Sequence, residues 1–175
     1  MNWDLITNII LAAAIATALL FAGLAIYQWT TRKSFKRIDP ELRWASVPIV
    51  LMAATYFIFD KLWVLNTRPD GSGEPSFPSS HVMLVATVFA LTALILPRYI
   101  KNKAAYISLS ILMLILTILT GVGRVLADKH WPSDVAGALI FAAIFATTYY
   151  FIIKNLNANP TSSQHNNHKE KNHHA

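Results

Sequence analysis

Two histidines, three cations and a carboxylate are residue types that could together act on a phosphate ester. Lys61 and Arg68 form K-x6-R, with Pro69 next; Pro78-Ser79-Ser80-His81 follows; Arg124, His130 and Asp134 form R-x5-H-x3-D. Such a reaction asks for a nucleophile, a proton for the leaving oxygen, and positive charge around the equatorial oxygens. Lys61, Arg68 and Arg124 could supply the charge, and guanidinium forks match phosphate oxygens. His130 and Asp134 lie four apart across the expected start of a helix. A carboxylate there can accept from one imidazole nitrogen and raise the nucleophilicity of the other, or it can simply stabilise its helix N-terminus. Ser79 is a candidate N-cap ahead of His81, and the free N–H groups of that helix start make an anion site. Asp60, Asp70, Glu74, Asp128 and Asp134 show no metal-ligand pairing and there is no cysteine. The expected chemistry is therefore metal-independent, with no cofactor.

What must position these residues is a membrane bundle. Of the 175 residues, 54% are apolar and only 14% charged, against about 45–50% and 25% in ordinary soluble domains. The excess falls in five uncharged or nearly uncharged stretches, about Leu5–Tyr27, Trp44–Leu65, Ser79–Leu96, Ala104–Val122 and Pro132–Ile153. Each approaches or matches the ~30 Å hydrocarbon core at ~1.5 Å per residue. None alternates with period two, so an all-α polytopic bundle of about five transmembrane helices is expected, with Pro48 a kink and Pro97 a stop. The first stretch is expected to be a retained helix, since Asp4 precedes it and no Lys or Arg does. The membrane domain is expected to cover 1–154. The polar 155–175 tail, with His165, His168, His173 and His174, is expected to be disordered and solvated.

Charge gives the expected orientation. Eleven of the fifteen Lys and Arg fall in three segments that alternation places on one side: Arg32, Lys33, Lys36, Arg37 and Arg43; Arg98, Lys101 and Lys103; Lys154, Lys169 and Lys171. The positive-inside rule makes that side cytoplasmic, tail included. Lys61, Arg68, Arg124 and Lys129 are left on the outer side, with the motif residues. Trp3, Trp29, Trp44, Trp63 and Trp131 stand near span ends, as an interfacial belt does. Topology accounts for the net charge of +6, and no nucleic-acid partner is needed. Lys129, Asp70 and Glu74 read as surface. Snorkelling explains any single Lys or Arg. It explains less well six ionisable groups at one face, where each is costly.

The stretches KLWVLNTRP at 61–69, PSSH at 78–81 and GRVLADKHWPSD at 123–134 resemble the signatures KxxxxxxRP, PSGH and SRxxxxxHxxxD of the type 2 phosphatidic acid phosphatase (PAP2) superfamily. Ser80 replaces the motif glycine and Gly123 the serine before arginine. Members commonly have six helices; five are expected here, with the motif-bearing ones complete. The resemblance implies that His130 attacks phosphorus to form a phosphohistidine, oriented by Asp134. It makes His81 the general acid, and places Lys61, Arg68, Ser79, the backbone of Ser80, and Arg124 on phosphate. It also implies a plasma-membrane enzyme acting on a lipid phosphate or diphosphate: undecaprenyl diphosphate, phosphatidylglycerophosphate or phosphatidate. The alternative is a non-catalytic bundle that binds or transports a lipid phosphate. Oligomeric state is not legible. The topology is checked with Gly73→Cys, which should react with a membrane-impermeant thiol reagent on intact cells. Labelling only after lysis would reverse it.

Overall fold

Most of the long helices start at a side-chain cap or a proline; the one that opens at Ser80 does not, since the Ser79 hydroxyl expected to cap it makes no such bond. In the computed structural model, which describes residues 1–158, α1 runs Trp3–Arg32. Asn2 caps it by accepting from Leu5 N at 3.0 Å. A short α2 (Pro40–Trp44) and α3 (Ser46–Phe57) follow, and α3 passes into a single π-helical turn at Ile58–Leu62. Next come α4 (Ser80–Tyr99), α5 (Lys103–Leu126) and α6 (Pro132–Ala158). Asn102 caps α5 from Ala105 N at 3.2 Å, and Pro40 and Pro132 begin their helices, where a missing N–H costs nothing. The residues of the expected tail from 159 onward lie outside those described.

The five expected spans are present as five helical segments long and apolar enough to cross a bilayer: Trp3–Arg32, Pro40–Leu62, Ser80–Tyr99, Lys103–Leu126 and Pro132–Ala158. Two boundaries differ from expectation. The kink expected at Pro48 is a break at Ala45 between α2 and α3, because a proline disturbs the turn before it. Pro97 does not end α4, which closes two residues later with Ile100 N donating to Leu96 O at 2.8 Å. A proline in a final turn interrupts little of the ladder, and helix ends are soft.

The second motif opens the most enclosed helix. α4 packs against α1, α3, α5 and α6, and is apolar and buried nearly all round. Val85, Val88 and Phe89 meet Ile10 and Ala14 of α1. Val82 and Met83 meet Ala138 and Phe145 of α6. Leu91 and Ile95 meet Tyr149. In lipid, helices gain little from hiding apolar surface from each other, so close approach through small residues matters more. Ala14, Ala138 and Ala142 are buried at these seams, while Leu19, Leu20, Ile118 and Ile140 face outward.

At the end away from the motifs, Asp39 ties the helices together. It accepts from Gln28 Nε2 at 2.8 Å, Arg32 Nη1 at 3.0 Å and the Tyr99 hydroxyl at 3.0 Å. Desolvation opposes its charge, but bonds from Arg32, Gln28 and Tyr99 outweigh it and hold the carboxyl below its ordinary value. Tyr149 donates to the Glu41 carbonyl at 2.9 Å. At the motif end, the starts of α1, α4 and α6 meet the finish of α5 and the π turn.

One packing contact explains a motif departure. A Cβ on Gly123 would stand 2.6 Å from Thr7 Cγ2 and 3.3 Å from Trp3 Cε3. Neither a β-branched side chain nor an indole against a helix start yields easily. Gly123→Ser should therefore destabilise the detergent-solubilised protein by about 1–3 kcal/mol, the usual cost of overpacking. Gly23→Ala, with nothing within 4 Å of its added methyl, should leave the thermal midpoint unchanged or raised. Equal midpoints for wild type and Gly123→Ser would contradict this contact.

Candidate functional site

The loop between the π turn and α4 carries the second cation and leads into the serine–histidine motif. It reverses at residues 70–73, where Gly71 and Gly73 take φ of 76° and 74°, conformations glycine adopts without strain. Thr67 and Pro75 form an antiparallel bridge beside it, and Arg68 N donates to Glu74 O at 3.0 Å. Four bonds stitch this loop to the turn between α5 and α6 and to the first turn of α6. Lys129 Nζ meets Asp70 Oδ2 at 3.0 Å. Trp131 Nε1 donates to Thr67 O at 2.8 Å. His130 Nδ1 lies 2.9 Å from Ser76 O, and Ser79 N donates to Asp134 O at 3.2 Å.

These bonds settle the state of His130, which is 3% exposed. A carbonyl only accepts, so Nδ1 carries the hydrogen and Nε2 the lone pair. Nε2 is buried with no hydrogen-bond partner among the described residues. Burial, then the Arg124 cation, pushes the imidazole down to about 4, so the ring is neutral at pH 7. Asp134 was expected to hold this ring. Its Oδ2 stands 3.7 Å from Nδ1, beyond hydrogen-bond range, and instead accepts from Trp131 N at 2.8 Å. That is the reciprocal half of a capping box. The fully buried Asp134 thus serves its helix start and adds negative potential beside the imidazole, while Ser76 fixes the tautomer.

The other expected residues divide. Arg68 pairs with Glu74 Oε2 at 2.7 Å. Arg124, 4% exposed, pairs through Nη1 with Asp4 Oδ1 at 2.8 Å. The Nε of both guanidiniums is buried and unpartnered, as are the hydroxyls of Ser76 and Ser79 and Asp134 Oδ1. Arg68, Ser76, Ser80 and His130 line one small cleft of about 40 Å³ with Tyr56 and Asp60. Lys61 does not join them. It pairs with Asp60 Oδ2 at 2.7 Å, its side chain 64% exposed, because the π turn presents Asp60 to the cleft instead. His81 sits beside an apolar pocket of about 310 Å³, lined by Leu11, Met52, Ala53, Met83 and Leu84. Pocket and cleft meet at Tyr56 and Ser80. Among the described residues, no three His, Cys, Asp or Glu side chains gather as a metal site.

Fold and site together define a polytopic membrane bundle with a buried polar cluster at one end, bordered by an apolar pocket. Residues 54–158 match the PAP2 superfamily, and the chain belongs to that superfamily. It is 39% identical over 75 residues to a lipid A 1-phosphatase of Rhizobium johnstonii, a stretch covering 43% of this chain and 27% of that protein. It is 30% identical over 94 residues to a lipid A 1-phosphatase of Porphyromonas gingivalis, covering 54% of this chain and 20% of that one. The matches thus span less than a third of either relative. The crystal structure of a transmembrane PAP2 type phosphatidylglycerolphosphate phosphatase from Bacillus subtilis aligns over 88% of this chain and 76% of that one. Its TM-score is 0.63 at 18% identity, a likeness of fold.

Sequence reasoning missed Ser76, which acts through a backbone carbonyl and has no residue-type signature. It also missed Asp4 and Asn8 on α1, and the Lys129–Asp70 pair, whose opposite charges in facing loops were the available signal. The state of His130 is open to direct measurement. Nitrogen-15 NMR of labelled imidazoles should show it neutral and Nδ1-protonated at pH 7, titrating at about 4. A midpoint near the ordinary 6.5 would contradict the burial described.

Proposed function

We propose that this protein is a metal-independent membrane phosphatase. It removes the phosphomonoester or diphosphate of a lipid at the outer face of the plasma membrane, through a phosphohistidine intermediate. One observation carries the reading: apart from Asp134 Oδ1, the buried polar atoms at this end of the bundle that have no partner among the described residues suit a phosphoryl group. Arg68 Nε, Arg124 Nε and the Ser79 hydroxyl are donors, and His130 Nε2 is a lone pair among them. Each buried polar group left unpaired costs about 1–3 kcal/mol, so an anion that satisfies several recovers that energy on binding.

His130 Nε2 attacks phosphorus while the P–O bond to the lipid breaks. The bond pair leaves with the lipid oxygen, which takes a proton from His81. Water then attacks the phosphohistidine, the P–N bond breaks, and the water proton passes to His81. Arg68, Arg124 and the N–H groups opening α4 hold the equatorial oxygens. Asp134 stabilises the charge that His130 gains on attack. Lys61, paired to Asp60, contributes longer-range positive potential.

The apolar pocket supports an amphiphile, since a lipid tail can lie in it with the phosphate in the adjoining cleft. The outward placement rests on the Lys and Arg distribution. Relatives named for lipid A and for phosphatidylglycerolphosphate add these to undecaprenyl diphosphate and phosphatidate as substrates to test. On that panel, in EDTA, the purified protein should release orthophosphate from at least one lipid and form an acid-labile phosphoenzyme. His130→Gln should lower turnover at least about 10³-fold, as loss of a nucleophile does, with the thermal midpoint retained. Lipid binding without phosphate release across the panel would favour the non-catalytic bundle. Full turnover in His130→Gln would end the mechanism.

A further inference from the structure

α1 lies outside all three motifs and outside the stretch that matches the superfamily, yet two of its side chains reach the site. Asp4 and Asn8 are four residues apart on one helix face. Asp4 takes Arg124. Asn8 Oδ1 lies 3.1 Å from His81 Nε2. Asn8 interrupts the apolar run of its span, where an amide is costly and is commonly satisfied by a neighbouring helix. An amide oxygen only accepts, so this contact puts the hydrogen of a neutral His81 on Nε2 and leaves Nδ1 without a protein partner among the described residues. The two histidines are then handled alike. Each gives one nitrogen to an uncharged oxygen, Ser76 O or Asn8 Oδ1, and keeps the other for chemistry.

We propose that Asn8 is a positioning residue for proton transfer. It holds His81 through Nε2–H, so that Nδ1 delivers the proton to the departing lipid oxygen and later recovers one from water. The P–O bond pair goes to the lipid oxygen with that proton, and the ring alternates between cation and neutral form. This rests on the reading of His81 as general acid, and the test separates the two. A lipid alkoxide needs a proton in order to leave; p-nitrophenolate does not.

Wild type, Asn8→Ala, Asn8→Asp, His81→Ala and the Asn8→Ala/His81→Ala pair are compared on dioleoyl phosphatidate and p-nitrophenyl phosphate in detergent, each with its thermal midpoint. Asn8→Ala should lose about 10–100-fold in kcat on phosphatidate, a part of the about 10²–10⁴-fold that general acid catalysis supplies. Its KM should stay within about twofold, and it should lose little on the nitrophenyl ester. Asn8→Asp, which keeps an acceptor oxygen, should recover most of the loss. The paired variant should be no worse than His81→Ala, since residues acting as one unit are non-additive. Equal loss on both esters, or no recovery in a stably folded Asn8→Asp, would overturn the role of Asn8 while leaving that of His81. Absence of leaving-group dependence in His81→Ala would remove the acid itself, and release of orthophosphate from no lipid of the panel would remove the phosphatase reading, the proposal falling in either case; where wild type prefers another panel lipid, that lipid stands in for phosphatidate.

Discussion

The hydrogen bond from His130 Nδ1 to the Ser76 carbonyl is the interaction on which the site depends. It joins two loops that are 54 residues apart in sequence. It also decides which imidazole nitrogen is bare. Side-chain ties alone, such as Lys129 to Asp70, would hold the loops together but leave the tautomer free. A carboxylate in the carbonyl's place would draw the proton more strongly and make the ring easier to protonate. Burial and Arg124 work in the other direction and keep the imidazole neutral. The arrangement is stable because the carbonyl belongs to a loop already fixed by its own bridge at Thr67 and Pro75.

A polar cluster of this kind could not persist in an ordinary surface loop without water satisfying it. Here the bundle supplies walls. α4 is enclosed by four other helices, so its first turn is pinned and its N–H groups face a defined direction. The Asp39 knot and the Tyr149–Glu41 bond secure the far end. Motion at the motif end of α1, α4 and α6 is therefore resisted by hydrogen bonds near their opposite ends, from Gln28, Tyr99 and Tyr149. The apolar exterior needs no such order, since lipid chains conform to Leu, Ile and Phe wherever they stand.

Much of this was legible in sequence for a simple reason. Bilayer thickness imposes a length on apolar runs, and charge bias orders the loops, so five spans and the grouping of motif ends follow from composition alone. Residue types that do chemistry are rare in such runs, which made His81, His130, Arg68 and Arg124 conspicuous. Three things stayed hidden. Ser76 acts through its backbone. Lys61 is turned aside by a π turn, which no local pattern around Ile58–Leu62 announces. Asp134 bonds its own helix start rather than the ring, a choice of about an ångström that spacing cannot resolve. The contribution of α1 was hidden as well, because its partners are more than 70 residues distant in the chain.

The contact at Gly123 has a consequence for comparing this chain with its relatives. Thr7 and Trp3 occupy the volume that a side chain at position 123 would need. A hydroxyl before Arg124 and a first helix seated this closely are mutually exclusive. Positions 7 and 123 are thus epistatic: transplanting serine into one requires carving space at the other. Any swap of the first helix between superfamily members would have to carry its matching residue in α5 along with it.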